Sequence, residues 1–447
     1  MGPAYSLAAT TGPMVAAAGG MAPVALAVIT GIMLCIAVSY AMLSRVAPNA
    51  GSAYSWVRES FGTQAGAYAA WLLLLSNFFA TLATAVPVGF YTLALIAPAH
   101  AQDPRWAAVV GAVWILASAF LLYAGIRPTA RVTLVALLIE LCVLGATAIA
   151  AFVVRAAPAA PTTHATAVPI TIAGLFGAMT LGVWMVDGWE VSASASEEID
   201  DDARASGRGG ITALLATAAV LFVCMVAYLR LGGVSGIAAN QTDALAYVGD
   251  RLGGGVWRVV IVVTVLASSL SALWTTILYL SRSVYAMGRD GVLLPVFGGL
   301  DTRSEPLWSL AGVSLVATAC VLVTGYSPTA NAQLTLVLNG SSLFLGLLFA
   351  FSALACVRRF FDTRNVVLAG VALPLAGSAL LLGVLGFSVA TESPLLRGYA
   401  LAGLLLGVIF AFWRGARPPW QGKKRAPTEH TAPASDGVFP PVPRDCS

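Results

Sequence analysis

The residues Asp187-Gly188-Trp189-Glu190 set two carboxylates three positions apart inside the stretch LGVWMVDGWEVSASASEEIDDDAR (181–204). That stretch begins apolar and ends acidic. An acceptor side chain followed three residues on by Glu is the pattern of a capping box, where a helix begins. A helix beginning inside an apolar run must follow one that has just stopped, so the spacing predicts a break near residues 184–188. Unwound backbone at such a break leaves N–H and C=O groups free for a polar ligand. Asp187 either only caps the second half-helix or also pairs with an ammonium group or carries a proton. Neutralising an Asp at pH 7 costs about 4 kcal/mol, and placing a charge at mid-span costs roughly 2.5–3.5 kcal/mol. The two figures are close, so an arriving cation could decide the charge state. Glu190 is read as structural, reaching back to the break.

Three further groups could do chemistry. Glu140 is the other carboxylate in an apolar run, either a buried hydrogen-bonded residue or part of a proton route. Ser268, Ser269 and Ser271 in VLASSLSALWTT are small hydroxyl residues, suited first to close helix packing and second to Na⁺ coordination. Trp184, Trp189 and Trp274 could line a pocket, although packing is the commoner role of an aromatic in a span.

The elements that must position these residues are membrane helices. Hydrophobic residues make up 59% of the chain and charged ones 10%, against roughly a quarter charged in a soluble protein. Apolar stretches close to or above the roughly 20 residues that cross a bilayer recur throughout, and the alternating pattern of a membrane barrel is missing. The spans read as 4–20, 23–44, 65–97, 105–125, 130–154, 172–196, 210–231, 256–283, 307–325, 333–356, 366–390 and 395–413. This is an all-α polytopic membrane protein of about twelve transmembrane helices. Residues 1–413 form the membrane domain, and 414–447 a polar, Pro-rich, disordered tail. Taking the loop after the second span as cytoplasmic, alternate loops plus the tail hold 18 Lys and Arg against 6 in the other set. The tail is then cytoplasmic. Residues 155–169 form an external loop, and 233–255 a short external helix. A second interruption is expected in MGPAYSLAATTGPM, which holds Pro3, Gly12 and Pro13.

Other functions are poorly supported. The arginines are scattered over short loops, so nucleic acid is not a partner. The six cysteines show no metal spacing, and His100, His164 and His430 fall in loops or the tail. No cofactor, metal site or soluble catalytic domain is expected, and a membrane enzyme would want clustered His, Cys or Asp.

Four stretches resemble the amino acid–polyamine–organocation superfamily of permeases. GPAYSLAATTG is similar to the broken first helix of bacterial members, and RVAPNAGSAYSWVRESFGTQAGAYAAW (45–71) to the loop and entrance of the third. The DGWEVSASASEEIDDDARASGRGG region is similar to the sixth helix and its acidic loop, and SRSVYAMGRDGVLLPVFGGLDTRSEP (281–306) to the loop after the eighth. The resemblance implies a leucine-transporter-like fold, with five helices repeated inverted and two more after them. Substrate then sits between the breaks of helices one and six. Backbone N–H groups around Tyr5, Ser6 and Leu7 would bind a carboxylate. Carbonyls from Val183 to Val186 would bind an ammonium, with Trp184 an aromatic neighbour and Asp187 and Gly188 at the edge of the site. Two features depart from the family. Members carry a cytoplasmic half-helix before the first break, whereas this chain starts at the break, so its first helix lacks that half. A start codon assigned too far downstream is the expected reason, with a degenerate permease the alternative. An Asp directly before the Gly-Trp of helix six is also unusual, and tilts the substrate toward an amine or cation.

The reading that follows is a secondary transporter in the cytoplasmic membrane, moving an amino acid or related amine by alternating access. H⁺ is favoured over Na⁺ as the coupling ion, through Asp187 and Glu140, with Ser268 and Ser269 as the Na⁺ alternative. A membrane sensor that binds a ligand without moving it is the competing class.

Overall fold

The computed structural model describes residues 2–48, 51–125, 130–154, 168–194, 205–301 and 305–415. Regular structure among them is helical. The first half runs α1 (Pro3–Ala18), α2 (Ala22–Val46), α3 (Ser52–Phe61), α4 (Thr63–Ile96), α5 (Pro104–Tyr123), α6 (Ala130–Val153), α7 (Ile172–Met185) and α8 (Val191–Ser194). The second runs α9 (Ala205–Gly232), α10 (Val234–Ala239), α11 (Ala244–Arg251), α12 (Gly255–Arg289), α13 (Leu307–Thr324), α14 (Ala330–Phe360), α15 (Leu373–Thr391) and α16 (Pro394–Gly415). Among the described residues, ten stretches are long and apolar enough to cross a bilayer. The first of them, Pro3–Val46, is two helices, because a 3-10 turn at Gly19–Met21 separates α1 from α2. With α7, an apolar helix too short to be counted among the ten, the order of spans follows the expected one.

The helix ends follow from the local sequence. Asp103, Thr171 and Thr329 accept backbone N–H bonds in the first turns of α5, α7 and α14, meeting donors that a helix start leaves open. Pro23 and Pro104 stand at helix starts, where the missing N–H is harmless. Outward faces are apolar where lipid would be. On α16, Leu405, Ile409 and Phe412 are each more than 60% exposed, which fits a hydrocarbon solvent.

The packing partners fall into a pattern. α1 lies on α7, α2 on α9, α4 on α12 and α5 on α13. Each helix of the first set thus meets the one holding the same place in the second, as two repeated halves would arrange them. α14 packs along α4, and α15 and α16 lie against α2 and α4.

Three expectations differ in detail. α1 runs unbroken through Gly12 and Pro13; a proline removes one backbone bond, which a helix buried among neighbours tolerates. The segment around 233–255 forms two short helices, α10 and α11, divided at Asn240, whose side-chain amide donates back to the Gly236 carbonyl (2.8 Å). The loop after α2 contains a helix of its own, α3, turned into α4 by Gly62 at φ +93°. Most of the external loop, the acidic exit Glu197–Asp202 and the tail beyond Gly415 lie outside the described residues.

Candidate functional site

α1 and α7 run antiparallel in close contact. Near the far end of α1 the Ala17 carbonyl lies 2.0 Å from where a Cβ on Gly174 would be, so only glycine lets the two backbones meet there. At the opposite end, Tyr5 meets Trp184 edge to face, with ring centroids 5.1 Å apart. The Tyr5 hydroxyl faces the Ala83 carbonyl (2.8 Å) and Thr84 Oγ1 (3.0 Å) of α4. The start of α1 and the end of α7 are therefore side by side, where a discontinuous-helix site would require them.

The start of α1 is occupied from within the chain. Its first backbone N–H groups have no partner inside the helix. Glu140 Oε1 of α6 accepts the Ala4 N–H, and Ser268 Oγ of α12 accepts the Tyr5 N–H (3.2 Å). The Ser268 hydroxyl donates in turn to the same Glu140 oxygen (2.9 Å). Ser6 N–H bonds the Gly2 carbonyl (3.1 Å), and Leu7 is wholly buried one residue on. A Cβ on Gly2 would lie 2.2 Å from Ser268 Oγ and 2.9 Å from both Glu140 oxygens, so any larger residue there would push on the cluster. Ser269 is fully buried, and its hydroxyl has no hydrogen-bond partner.

The break in α7 falls where the sequence places it. The helix ends at Met185; Val186 N–H bonds the Gly182 carbonyl and Asp187 N–H bonds that of Trp184, both at 3.2 Å. Gly188 then adopts φ +104°, a conformation that favours glycine. Helix resumes only at Val191, so Asp187 and Glu190 both precede the new helix and no capping box forms. Instead both carboxylates accept one backbone N–H, that of Gly188, with Asp187 Oδ1 at 2.7 Å and Glu190 Oε2 at 2.9 Å. Two acidic groups with one donor between them call for a compensating cation or proton.

This pair faces a small cavity of about 20 Å³. Its polar lining includes Tyr40, Ser76, Asn77, Tyr279 and Ser341, and its floor includes Ser52 at the start of α3. Ser52 has φ +35°, unlike any other non-glycine among the described residues. Tyr40 and Phe349 line it, and Trp189 packs behind both, with centroids 5.1 Å apart for Tyr40–Trp189 and 5.2 Å for Trp189–Phe349. Aromatic faces beside carboxylates suit an ammonium ion. A cavity of this size holds one or two waters, since each needs roughly 10–15 Å³. A larger ligand requires the helices to part.

The structure thus brings Asp187 to the cavity together with Glu190, while Gly188 between them, Trp184 and the backbone of Val183 and Val186 belong to the helix end and are not among its lining residues. It places Tyr5, Glu140 and Ser268 together at the start of α1, in a separate cluster. The cavity residues Tyr40, Ser76, Asn77, Tyr279, Ser341 and Phe349 were not picked out from the sequence. Asn77 gave a usable signal, being an amide in the middle of LLLLSNFFATLA. Tyr40 and Phe349 gave none, because aromatics are common in any span.

The antiparallel pair, the break and the paired halves define a class: a polytopic membrane protein built from repeated helical halves around a discontinuous helix. Residues 1–414 match the amino acid permease family. The chain belongs to that family, within the amino acid–polyamine–organocation superfamily, whose members are permeases and not enzymes. Over 305 residues it is 29% identical to the branched-chain amino acid permease BcaP of Lactococcus lactis subsp. cremoris. That alignment covers 63% of this chain and 64% of that permease, less than two thirds of the relative's length. It is 30% identical over 353 residues to an uncharacterized transporter of Mycobacterium tuberculosis, covering 76% of each. It is 26% identical over 414 residues to the low-affinity putrescine importer PlaP of Escherichia coli, covering 88% of this chain and 84% of that importer.

Proposed function

We propose that this chain is a secondary active transporter that carries an amino acid or related amine across the cytoplasmic membrane. The observation that carries the reading is the break in α7, where Asp187 and Glu190 face a small cavity while sharing one backbone donor. A broken helix offering acidic groups to a cavity is a place to hold a polar solute in mid-membrane. The names of the relatives, one an amino acid permease and one a putrescine importer, support the same substrate range.

Because the cavity has room for little more than water, substrate enters only if one group of helices moves against another. Alternating access is the motion we assign, with α1 and α7 parting from α4 and α14. α3 closes one end of the cavity, and the arginine count puts α3 and the C-terminus on the cytoplasmic side. We assign H⁺ as the coupling ion. The acidic pair can take a proton in exchange for a cation, while of the two alternative Na⁺ ligands, Ser268 and Ser269, the first is engaged by Glu140 and Tyr5.

The test is uptake of labelled amino acids and amines into proteoliposomes with and without an imposed pH gradient. Saturable uptake driven by the gradient is expected. Binding without uptake or counterflow would replace transport with a sensing role, and Na⁺-driven uptake would replace the proton.

A further inference from the structure

The cavity and its neighbour at the start of α1 differ in what they offer a ligand, and the difference bears on the chemical class of the substrate. A zwitterionic amino acid brings a carboxylate that needs hydrogen-bond donors or a positive charge, together with an ammonium that needs acceptors. Among the described residues lining the cavity, none is Lys, Arg or His. Several of the donors there point away from it. Ser76 and Asn77 donate to the Leu73 carbonyl (3.1 and 2.8 Å), Ser341 donates to the Ser76 carbonyl (3.3 Å), and Tyr40 donates to Ser352 (3.2 Å). One backbone N–H of the break, that of Gly188, is taken by both carboxylates. The charged groups that line the space are both acidic, and the aromatic rings of Tyr40 and Phe349 stand beside them.

The nearest alternative for a ligand carboxylate is the start of α1, because helix N-termini attract anions. There the Ala4 and Tyr5 N–H groups are held by Glu140 and Ser268. Glu140 supplies the carboxylate that a substrate would otherwise bring, and its own oxygen is further tied by the Ser268 hydroxyl (2.9 Å). A second carboxylate there would face the first.

We infer that the transported substrate is an amine without a carboxylate, a mono- or diamine whose ammonium binds between Asp187 and Glu190. The inference rests on the transport reading above and narrows it. Selectivity against the amino acid comes from repulsion and unmet hydrogen bonds, which discriminate more strongly than a missing contact.

The experiment uses the full chain in proteoliposomes and pairs of labelled probes that differ only by the carboxyl group: cadaverine against lysine, and isoamylamine against leucine. The amine of each pair is expected to exceed its amino acid in kcat/KM by about a hundredfold or more, since rejection that leaves buried polar groups unpaired reaches roughly 10⁴–10⁵-fold. An amino acid carried as well as its amine would overturn the inference while leaving transport standing. If no probe is bound or carried, the transport reading itself falls, and the inference with it. A second arm uses Glu140→Ala, which vacates the start of α1. The amine preference should narrow by about tenfold as a carboxylate gains a place to bind. An unchanged preference would overturn the part assigned to Glu140. The wild-type ratio does not depend on whether that variant folds.

Discussion

Glu140 and the Asp187–Glu190 pair are both carboxylates set into apolar helices, and their surroundings are opposite. One oxygen of Glu140 receives a backbone N–H and a hydroxyl, and it sits at the positive end of the 16-residue helix α1. Asp187 and Glu190 divide one N–H between them and look into a cavity. A buried charge is tolerable when its hydrogen bonds and counter-charge are complete, and costly when they are not. The chain completes the first carboxylate from its own atoms and leaves the second pair to be completed by something else. On that contrast the first holds α1 in place and the second binds.

The largest effect should come from the incomplete pair. Asp187→Asn is expected to lower kcat/KM for uptake by about a hundredfold or more, the scale of losing one partner of a buried charge interaction. Its thermal stability in detergent should hold or rise, because the variant removes like-charge crowding. Glu190→Gln added to it should cost much less than it does alone, since residues sharing one donor are not additive. Unchanged uptake by Asp187→Asn would erase the distinction drawn here.

The next effect belongs to the complete site and should appear in stability. Gly2→Ala places a methyl 2.2 Å from Ser268 Oγ and 2.9 Å from the Glu140 oxygens. Forcing it in should cost about 1–3 kcal/mol, seen as a lower Tm. A neutral result would mean that the start of α1 is loosely held.

How much of this could be read in the sequence differs between the two centres. The break was legible because Asp187, Gly188 and Glu190 are out of place in an apolar run, and local chemistry sufficed to locate it. The resumption point was not. A capping box was expected, but Gly188 turns to positive φ and draws both carboxylates onto its own N–H, which delays the helix to Val191. Glu140 was visible as a carboxylate in a span, yet its partners are 136 and 128 residues away in the chain, at Ala4 and Ser268. Pairing at that separation depends on how α1, α6 and α12 pack, and no local pattern encodes it. The cavity wall was hidden for the same reason. Tyr40, Asn77 and Phe349 come from three helices, and only their convergence makes them a site.

A smaller effect sharpens the same contrast. Glu140→Gln keeps an oxygen for the Ala4 N–H and removes the charge beside the helix end. It should cost about 1 kcal/mol or less of stability. A larger loss in uptake than Asp187→Asn shows would reverse the roles assigned to the two centres.

The smallest effect tests what closes the cavity from below. Tyr54 of α3 donates to Asp290 Oδ2 at the end of α12 (2.9 Å), and its neighbours Ser52 and Ala53 line the cavity floor. Burial, with the Asp290 carboxylate beside it, pushes the Tyr54 hydroxyl well above the usual phenol range, so it remains a donor. Tyr54→Phe should cost about 1 kcal/mol and raise KM little, because no substrate contact is removed. If the bond holds the floor shut between cycles, the variant should show faster passive leak of substrate. The sign with pH follows from the raised pKa. The stability difference between wild type and variant should be constant below about pH 10, where an unfolded tyrosine begins to ionise. It should shrink above that, as ionisation favours the unfolded chain. A difference that shrinks already between pH 6 and 8 would show that another group holds α3 against α12, and the acidic pair would then be guarded by a contact other than this one.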